Sequence, residues 1–225
     1  SPMPIDICKP LPRWGALAAL LLPLPALAAD DSGWHRGDFN LRLGAAGVMF
    51  GESGRVSVAG SPVAGSNITL TDNTTLAGEI EYFPTAHLSV AVNFGIPPQT
   101  TVGGAGTLAP LGQLGKVSYG IGAAMLRYHL FAHSRISPFA GVGVGHFFPT
   151  ATHDGAVTGL RVGTATNVAL QGGLDVHVNR HLGVYADVSY APLKTTATGF
   201  ILGFPALADV TLNPTIVQGG IAYRF

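Results

Sequence analysis

The chain has 225 residues, of which only 11% are charged, and its 12 basic and 12 acidic side chains balance at pH 7. An ordinary soluble domain has about 25% charged residues, so the composition favours a membrane environment, and the high apolar content excludes a disordered chain. The lack of a basic excess argues against a nucleic-acid-binding protein. Beyond residue 30, no stretch offers the roughly 20 apolar residues of a membrane-spanning helix, which leaves a Gly-rich soluble β fold or a membrane β-barrel.

Residues 1–28 have the pattern of a secretory signal peptide. Basic residues precede an uncharged run rich in Ala and Leu, and small residues stand at the positions that a signal peptidase recognises, ending at Ala28. A membrane anchor is the alternative, but Pro23 and Pro25 interrupt the run. Cleavage would also remove Cys8, the only cysteine, so we expect a mature chain without disulfides or cysteine ligands.

From Gly37 to the end of the chain, apolar and polar residues alternate with the period of a β-strand. In most of these segments the bulky apolar side chains fall on one face and the charged side chains fall on the other. The pattern predicts eight strands, at 39–43, 76–82, 88–96, 117–130, 138–148, 167–178, 182–190 and 217–225.

The connections between the predicted strands alternate between short and long. The short ones lie at 84–87, 131–137 and 179–181, and the long ones, rich in Gly, Thr and Pro, lie at 51–72, 97–116, 149–163 and 191–209. An even number of strands with short turns at one end and long loops at the other is typical of outer-membrane barrels. We therefore predict an all-β fold, an eight-stranded antiparallel transmembrane β-barrel over 37–225 with short periplasmic turns and long extracellular loops. A short periplasmic N-terminal segment would precede it at 29–36.

A soluble barrel such as a lipocalin has the same strand period, so the direction of the apolar face is decisive. Here the bulky apolar residues form the continuous face and the charges lie on the opposite face. This is the reverse of the arrangement expected in a soluble barrel. The chain also ends on an aromatic residue with further apolar side chains behind it on the same face. This pattern resembles the signal that the outer-membrane assembly machinery reads, formed here by Val217, Ile221, Tyr223 and Phe225.

Short motifs occur in a fixed order along 37–225. They are Asp72-Asn73-Thr74, Asn93 through Pro97-Pro98, Arg127-Tyr128-His129, Ser137 to Gly143, Asn179-Arg180, Leu212-Asn213-Pro214 and Gly220 to Phe225. As an ordered set they resemble the outer-membrane protein W family (OmpW, with its AlkL relatives). The resemblance implies an eight-stranded outer-membrane barrel that passes small hydrophobic molecules and has no enzymatic activity.

The resemblance also implies an apolar channel with a constriction partway down. In this sequence the inward positions at that depth include Asn93 and Ser189, which are polar. The expected constriction therefore departs from a purely apolar one.

The inward-facing charged residues are expected to gather in the periplasmic half of the barrel. With a periplasmic N-terminus, the strand directions place there Arg42, Glu79, Glu81, Arg127, Asp175, His177, Asp187 and Arg224. The interior of an eight-stranded barrel is just wide enough for side chains, and buried charges must be paired. We therefore predict a mutually paired polar plug that closes the lumen at this end.

A plug of this kind would turn an apolar solute away from the axial route and favour lateral release through the barrel wall into the membrane. Proline withholds a ladder hydrogen bond, so Pro97, Pro98 and Pro214 mark candidate lateral openings. The alternative interpretation is that these prolines only end their strands. The predicted function is passive uptake of small hydrophobic molecules by an integral protein of the outer membrane of a Gram-negative bacterium.

A second class of function stays open, namely a structural or interaction barrel whose extracellular loops bind host surfaces, phage or bacteriocins. Apolar residues in the loops 51–72 and 191–209 favour transport. Neither an enzyme nor a metal or cofactor site is expected, because no helix follows the Gly-rich run at 141–145, and His129 and His133 lie at a strand end and a turn. The expected partners are the lipid bilayer, lipopolysaccharide, the assembly machinery and small apolar solutes, without nucleic acid.

Overall fold

The computed structural model describes residues 33–225. The expected signal peptide at 1–28 and residues 29–32 of the expected periplasmic segment lie outside the described residues. One 3-10 helix (Ala109–Leu111) and fifteen strands follow one another in the described chain: β1 (Phe39–Phe50), β2 (Ser53–Val58), β3 (Ser61–Pro62), β4 (Ser66–Leu70), β5 (Asn73–Tyr82), β6 (Leu88–Gly95), β7 (Gln99–Gly106), β8 (Gln113–His129), β9 (Ile136–Asp154), β10 (Val157–Val162), β11 (Ala165–His177), β12 (Leu182–Tyr190), β13 (Lys194–Ile201), β14 (Phe204–Thr211) and β15 (Pro214–Arg224).

Eight of these strands close into an antiparallel barrel, which confirms the predicted fold class. In order around the barrel they are β1, β5, β6, β8, β9, β11, β12 and β15, and β15 pairs back with β1. Each of the eight overlaps one of the segments predicted from the alternation, and four of those segments run one residue past the end of the strand. The three short turns and the start of β1 lie at one end of the barrel, which we call the turn end. Over residues 33–225, no helix is long and apolar enough to cross a membrane.

The outer surface of the barrel is apolar because the strand period places every second side chain on it. In β6, Leu88, Val90 and Val92 are exposed, whereas Ser89 and Ala91 between them are buried. The other barrel strands expose a similar row of large apolar side chains. A continuous apolar surface of this size is rare on a soluble monomer, so this belt is suited to contact with lipid.

The long connections are themselves folded into strands that continue the wall beyond the belt. Strands β10, β13, β14, β2 and β3 form a second antiparallel sheet, and β4 and β7 extend the edge of β8. We call these seven strands, together with the adjoining ends of β8 and β9, the crown. The sequence predicted these segments only as loops, because Thr- and Gly-rich strands such as β13 carry no strong alternation that would reveal them.

Side chains join the second sheet to the rest of the crown. The carboxamide oxygen of Asn67 accepts a hydrogen bond from the backbone N–H of Gly54 at 2.9 Å, which ties β4 to β2. On the opposite side, the Asp154 carboxylate accepts from the N–H groups of Gly159 and Leu160 at 2.8 and 3.0 Å. These two bonds stabilise the charged carboxylate and lower the pKa of Asp154. The crown is therefore a connected wall.

Candidate functional site

Five charged side chains from four barrel strands meet inside the barrel and form what we call the ionic network. They are Arg42 of β1, Glu79 and Glu81 of β5, Arg127 of β8 and Asp175 of β11, and all five are buried. They meet because each stands at an inward position in the half of its strand nearer the turn end. The alternation of the strands therefore builds the network.

Arg42 lies at the centre of the ionic network. Its guanidinium nitrogens lie 3.1 Å from the Glu79 carboxylate and 2.9 Å from that of Glu81. One of these nitrogens also lies 2.9 Å from both oxygens of Asp175. Arg42 and Glu79 are directly opposite in the β1–β5 ladder, so backbone pairing holds this ion pair together.

Arg127 is the second cation of the network. Its two terminal nitrogens donate to the two carboxylate oxygens of Glu79, and its Nε donates to the side-chain oxygen of Gln171 at 2.8 Å. The ring of Phe139 packs against both arginines, with its centroid 5.1 Å from Cζ of Arg42 and 4.9 Å from Cζ of Arg127. The ring faces therefore add cation–π attraction to the ion pairs.

Neutral and titratable side chains complete the surroundings of Glu81. The Ser89 hydroxyl donates to this carboxylate at 2.6 Å, and Nδ2 of Asn40 donates at 3.0 Å. His129 Nε2 lies 3.3 Å from the carboxylate, and Arg127 Nη1 lies 3.2 Å from it. Several donors thus compensate for the loss of water around a buried carboxylate.

Asp187, on the crown side of the network, is held by two amides instead of an arginine. Gln171 Nε2 donates to one carboxylate oxygen at 2.8 Å, and Gln218 Nε2 donates to the other at 2.9 Å. Because Gln171 also accepts from Arg127, Asp187 is linked to the ionic network through one shared amide.

The chain segment before β1 covers the network at the turn end. Trp34 stacks on Phe83 with ring centroids 4.2 Å apart, and His177 packs edge-on against Trp34 at 4.6 Å. Arg224 donates to the carbonyl of Gly33 and, at 2.6 Å, to a backbone carbonyl in the third turn. Two of the predicted plug residues, His177 and Arg224, therefore lie outside the ionic network and instead hold this cover in place.

The crown encloses a cavity of about 80 Å³, which we call the crown cavity. Its lining is apolar apart from a few threonines, and includes Phe50, Val56, Leu108, Leu114, Leu160 and Ile201. An apolar cavity of roughly 150 Å³ holds a benzene-sized ligand. The crown cavity must therefore widen before such a molecule can enter it.

A second cavity of about 80 Å³, the middle cavity, lies between the crown cavity and the ionic network. Asn93 and Ser189, the residues predicted at the constriction, both line it, and Asn93 also donates to Glu79 at 2.8 Å. Tyr119 lines both cavities and is only 1% exposed, and its ring packs edge-on against Phe50 with centroids 5.6 Å apart. Tyr119 is therefore the partition between them.

The barrel wall beside the middle cavity has a gap in its hydrogen-bond ladder. Pairing of β8 with β6 ends at Ala123, and the next contact on that side is the N–H of Tyr119, which donates to the carbonyl of Pro98 at 3.0 Å. Within the described ladders, residues 120–122 of β8 have partners on β9 alone. Pro97 and Pro98, predicted as a lateral opening, lie at this gap.

Pro214, the other predicted opening, does not lie at such a gap. It is buried at the start of β15 and stands opposite Phe50 in the β1–β15 ladder. Its carbonyl accepts a hydrogen bond from the N–H of Ala191 at 3.3 Å. Pairing is continuous here, so Pro214 fits the interpretation that it begins a strand. The residues of the predicted assembly signal are exposed on the outer face of the barrel or at its terminus: Val217, Ile221, Tyr223 and Phe225.

The predicted plug did not include three side chains that bond to it, namely Gln171, Gln218 and His129. The alternation places Gln171 and Gln218 on the inward face, and His129 follows Arg127 by two residues on the same face of β8, so all three could have been included. Trp34 precedes the first strand, so no strand alternation indicated that its side chain is buried. Across residues 33–225, no group of three or more His, Cys, Asp or Glu side chains is arranged to hold a metal ion.

Comparison with known proteins places the chain in one family. The model of the OmpW family matches residues 35–225. The chain is 33% identical over 210 residues, 92% of this chain and 97% of the relative, to the dibenzothiophene metabolism operon protein PahQ of Pseudomonas aeruginosa.

Two solved structures have a similar fold. The crystal structure of the outer membrane protein OprG from Pseudomonas aeruginosa gives a TM-score of 0.82 at 22% identity and covers 87% of this chain and 99% of OprG. The solid-state NMR structure of the outer membrane protein AlkL in lipid bilayers gives 0.69 at 26% identity and covers 88% and 95% of the two chains.

Proposed function

We propose that this chain, which belongs to the OmpW family, gives small apolar molecules a passive route from outside the cell into the outer membrane. It is an integral outer-membrane barrel whose apolar belt lies in the lipid bilayer. The observation that supports the proposal most is the succession along the barrel axis, in which an apolar cavity lies above a buried ionic network. Passage of this kind needs no chemical step, and we assign no enzymatic activity to the chain.

The ionic network makes the axial route unfavourable for an apolar molecule. To pass, the molecule would have to separate Arg42 from Glu79, Glu81 and Asp175, all of which are buried without access to water. Separating buried ion pairs leaves uncompensated charges at a high cost in free energy. We therefore infer that the network acts as a plug, which leaves the barrel wall as the easier exit.

The gap between β6 and β8 supports a lateral exit at the level of the middle cavity. A molecule in the crown cavity would displace the ring of Tyr119, enter the middle cavity and leave past Pro97 and Pro98, where β8 has no ladder partner on that side. The gap opens onto the apolar belt, so a solute would pass from one apolar environment to another. This step costs little because it exposes no apolar surface to water.

The relatives support an apolar class of solute. Dibenzothiophene, which appears in the name of the PahQ relative, is an uncharged aromatic heterocycle. The lining of the crown cavity offers such a molecule mostly aliphatic and aromatic contacts. We also propose that Val217, Ile221, Tyr223 and Phe225 are read by the outer-membrane assembly machinery, since all four are accessible on the outside of the closing strand.

Uptake in whole cells tests the proposed function directly. Accumulation of dibenzothiophene and naphthalene is measured in cells with and without the protein, and a small sugar serves as the polar comparison. We expect faster accumulation of the two apolar compounds and no change for the sugar. Equal rates with and without the protein for both apolar compounds would refute the proposed function.

A single substitution in the middle cavity should block the lateral route. Ala123 lines this cavity and the next residue, Ala124, is exposed on the lipid-facing side of the same strand. Ala123→Leu adds an isopropyl group to a cavity of about 80 Å³ and is expected to remove most of the uptake of naphthalene. Ala124→Leu adds the same group on the outside and should leave uptake unchanged. If the two variants take up naphthalene equally well, the solute does not pass through the middle cavity.

A further inference from the structure

We propose that the β13–β14 hairpin is an anchor whose tip inserts into the surface of an undissolved apolar phase, such as a hydrocarbon droplet. The inference rests on the proposed function for the class of solute, and it adds that the protein can draw this solute from a droplet as well as from solution. The anchoring side chains at the tip, Leu202 and Phe204, line neither the crown cavity nor the middle cavity.

All of the large apolar side chains exposed on the described crown belong to this hairpin. Leu202 at its tip is 83% exposed, Phe204 is 58% exposed and Phe200 is 49% exposed, and Leu207 lies further down. Elsewhere in the crown, the bulky Leu108 beside the 3-10 helix is buried. A cluster of exposed apolar side chains on an otherwise covered surface marks a site of contact with another apolar surface.

The turn at the tip of the hairpin contains a residue, Leu202, that does not favour the conformation of the turn. Leu202 and Gly203 are the two central residues of the hairpin and both have positive φ, at 50° and 83°. Two-residue turns of this kind favour Asn-Gly or Asp-Gly, and a bulky residue at positive φ is an outlier. Leucine at position 202 suits neither the positive φ of this turn nor exposure to water. A contact between Leu202 and an apolar surface explains its presence better than the needs of the turn do.

The tip of the hairpin can enter an apolar phase without desolvating a charge, because Arg161 of the neighbouring strand β10 stands opposite Thr198, below the tip. From Thr195 to Ala208 no residue is charged, and the flanking charges, Lys194 and Asp209, stand at the base of the two strands. Burying a charged side chain would oppose insertion strongly. At about 3.3 Å per residue, a strand as long as β13 extends roughly 25 Å, which carries the tip away from the apolar belt and from the protein's own bilayer.

The inner face of the same hairpin lines the crown cavity. Ile201 and Ala206 contribute to its wall, one residue before and two residues after the exposed pair Leu202 and Phe204. A molecule that leaves a droplet along the hairpin would therefore meet the crown cavity without crossing water. This continuity favours a bulk apolar phase as the occupant over a protein partner, for which the tip offers no charged side chain.

Binding of proteoliposomes to hexadecane droplets tests the anchor. The barrel is reconstituted, mixed with a hexadecane-in-water emulsion, and the fraction of liposomes that floats with the droplets is measured. The test variant Leu202→Asn installs the side chain that the turn prefers, so loss of binding cannot be attributed to a misfolded hairpin. Ala59→Asn is the matched control, because Ala59-Gly60 forms the tip of the neighbouring β2–β3 hairpin with similar positive φ values, 51° and 78°, and no large side chain.

We expect Leu202→Asn combined with Phe204→Ser to bind droplets at least about tenfold more weakly, as loss of two apolar side chains implies, and Ala59→Asn to bind as the original chain does. Uptake of dissolved naphthalene should be the same in all three. Undiminished droplet binding by the double variant overturns the anchor, as does an equal loss of droplet binding and dissolved uptake, or clustering of liposomes without droplets. Droplet binding without uptake of dissolved naphthalene would refute the proposed function and leave the anchor standing.

Discussion

Replacement of Arg42 by methionine is expected to lower the free energy of unfolding of the barrel by about 3–5 kcal/mol, the cost of removing one partner from a buried ionic group. Methionine fills a similar volume, so the loss comes from charge and not from a cavity. It would leave Glu81 and Asp175, each now 2.9 Å from Arg42, without their nearest cation. Urea unfolding from lipid vesicles, followed by the fluorescence of Trp34, measures the difference.

Two further variants show whether the effect belongs to the buried charges. Arg180 is exposed in the third turn, so Arg180→Met should change the free energy of unfolding by no more than about 0.5 kcal/mol. Adding Asp175→Asn to Arg42→Met removes one of the orphaned carboxylates and should recover part of the loss, a coupling that separate sites would not have. Equal stability losses in Arg42→Met and Arg180→Met would contradict the network.

The barrel could be predicted from the sequence because the bilayer imposes a simple rule on each strand. Lipid outside and a packed interior require one apolar face and one polar face, and the period of two reports this directly at β6 and β12. The crown is not bounded by lipid, so its strands are not under the same constraint. Their pairing depends on partners far apart in the chain, such as Val58 with Ala206, and no local pattern records it.

The position of the charged residues in the candidate site was also predictable from the alternation of the strands, but their partners were not. Alternation gives the side of the barrel on which a charge lies, and strand direction gives its depth, which was enough for Arg42 and Glu79. Neither the alternation nor the strand direction shows which side chain pairs with a given charge. Arg224 was expected in the plug, but the segment before β1 folds under the barrel, and the guanidinium donates to the carbonyl of Gly33. Asp187 was expected within the mutually paired plug, but its carboxylate accepts hydrogen bonds from two glutamine amides.

The network holds more carboxylates than arginines, and neutralising two of these carboxylates is expected to have a large effect on ion conductance. Arg42 and Arg127 face Glu79, Glu81 and Asp175, with Asp187 linked through Gln171. Glu81 and Asp175 both hold Arg42, from strands on different sides of the lumen. Neutralising this pair as Glu81→Gln and Asp175→Asn keeps the shapes of the side chains but removes the charges that hold Arg42 across the lumen.

The double variant is expected to open a steady ion conductance in planar bilayers, while the original chain conducts negligibly, because water can enter once Arg42 is no longer held to Asp175 across the lumen. Uptake of naphthalene should be unchanged, since the lateral route leaves the barrel above the network. Glu52→Gln with Asp209→Asn removes two crown carboxylates and should leave conductance negligible. Steady conductance by the original chain, or loss of naphthalene uptake in the plug variant, would contradict a plug that is separate from the transport route.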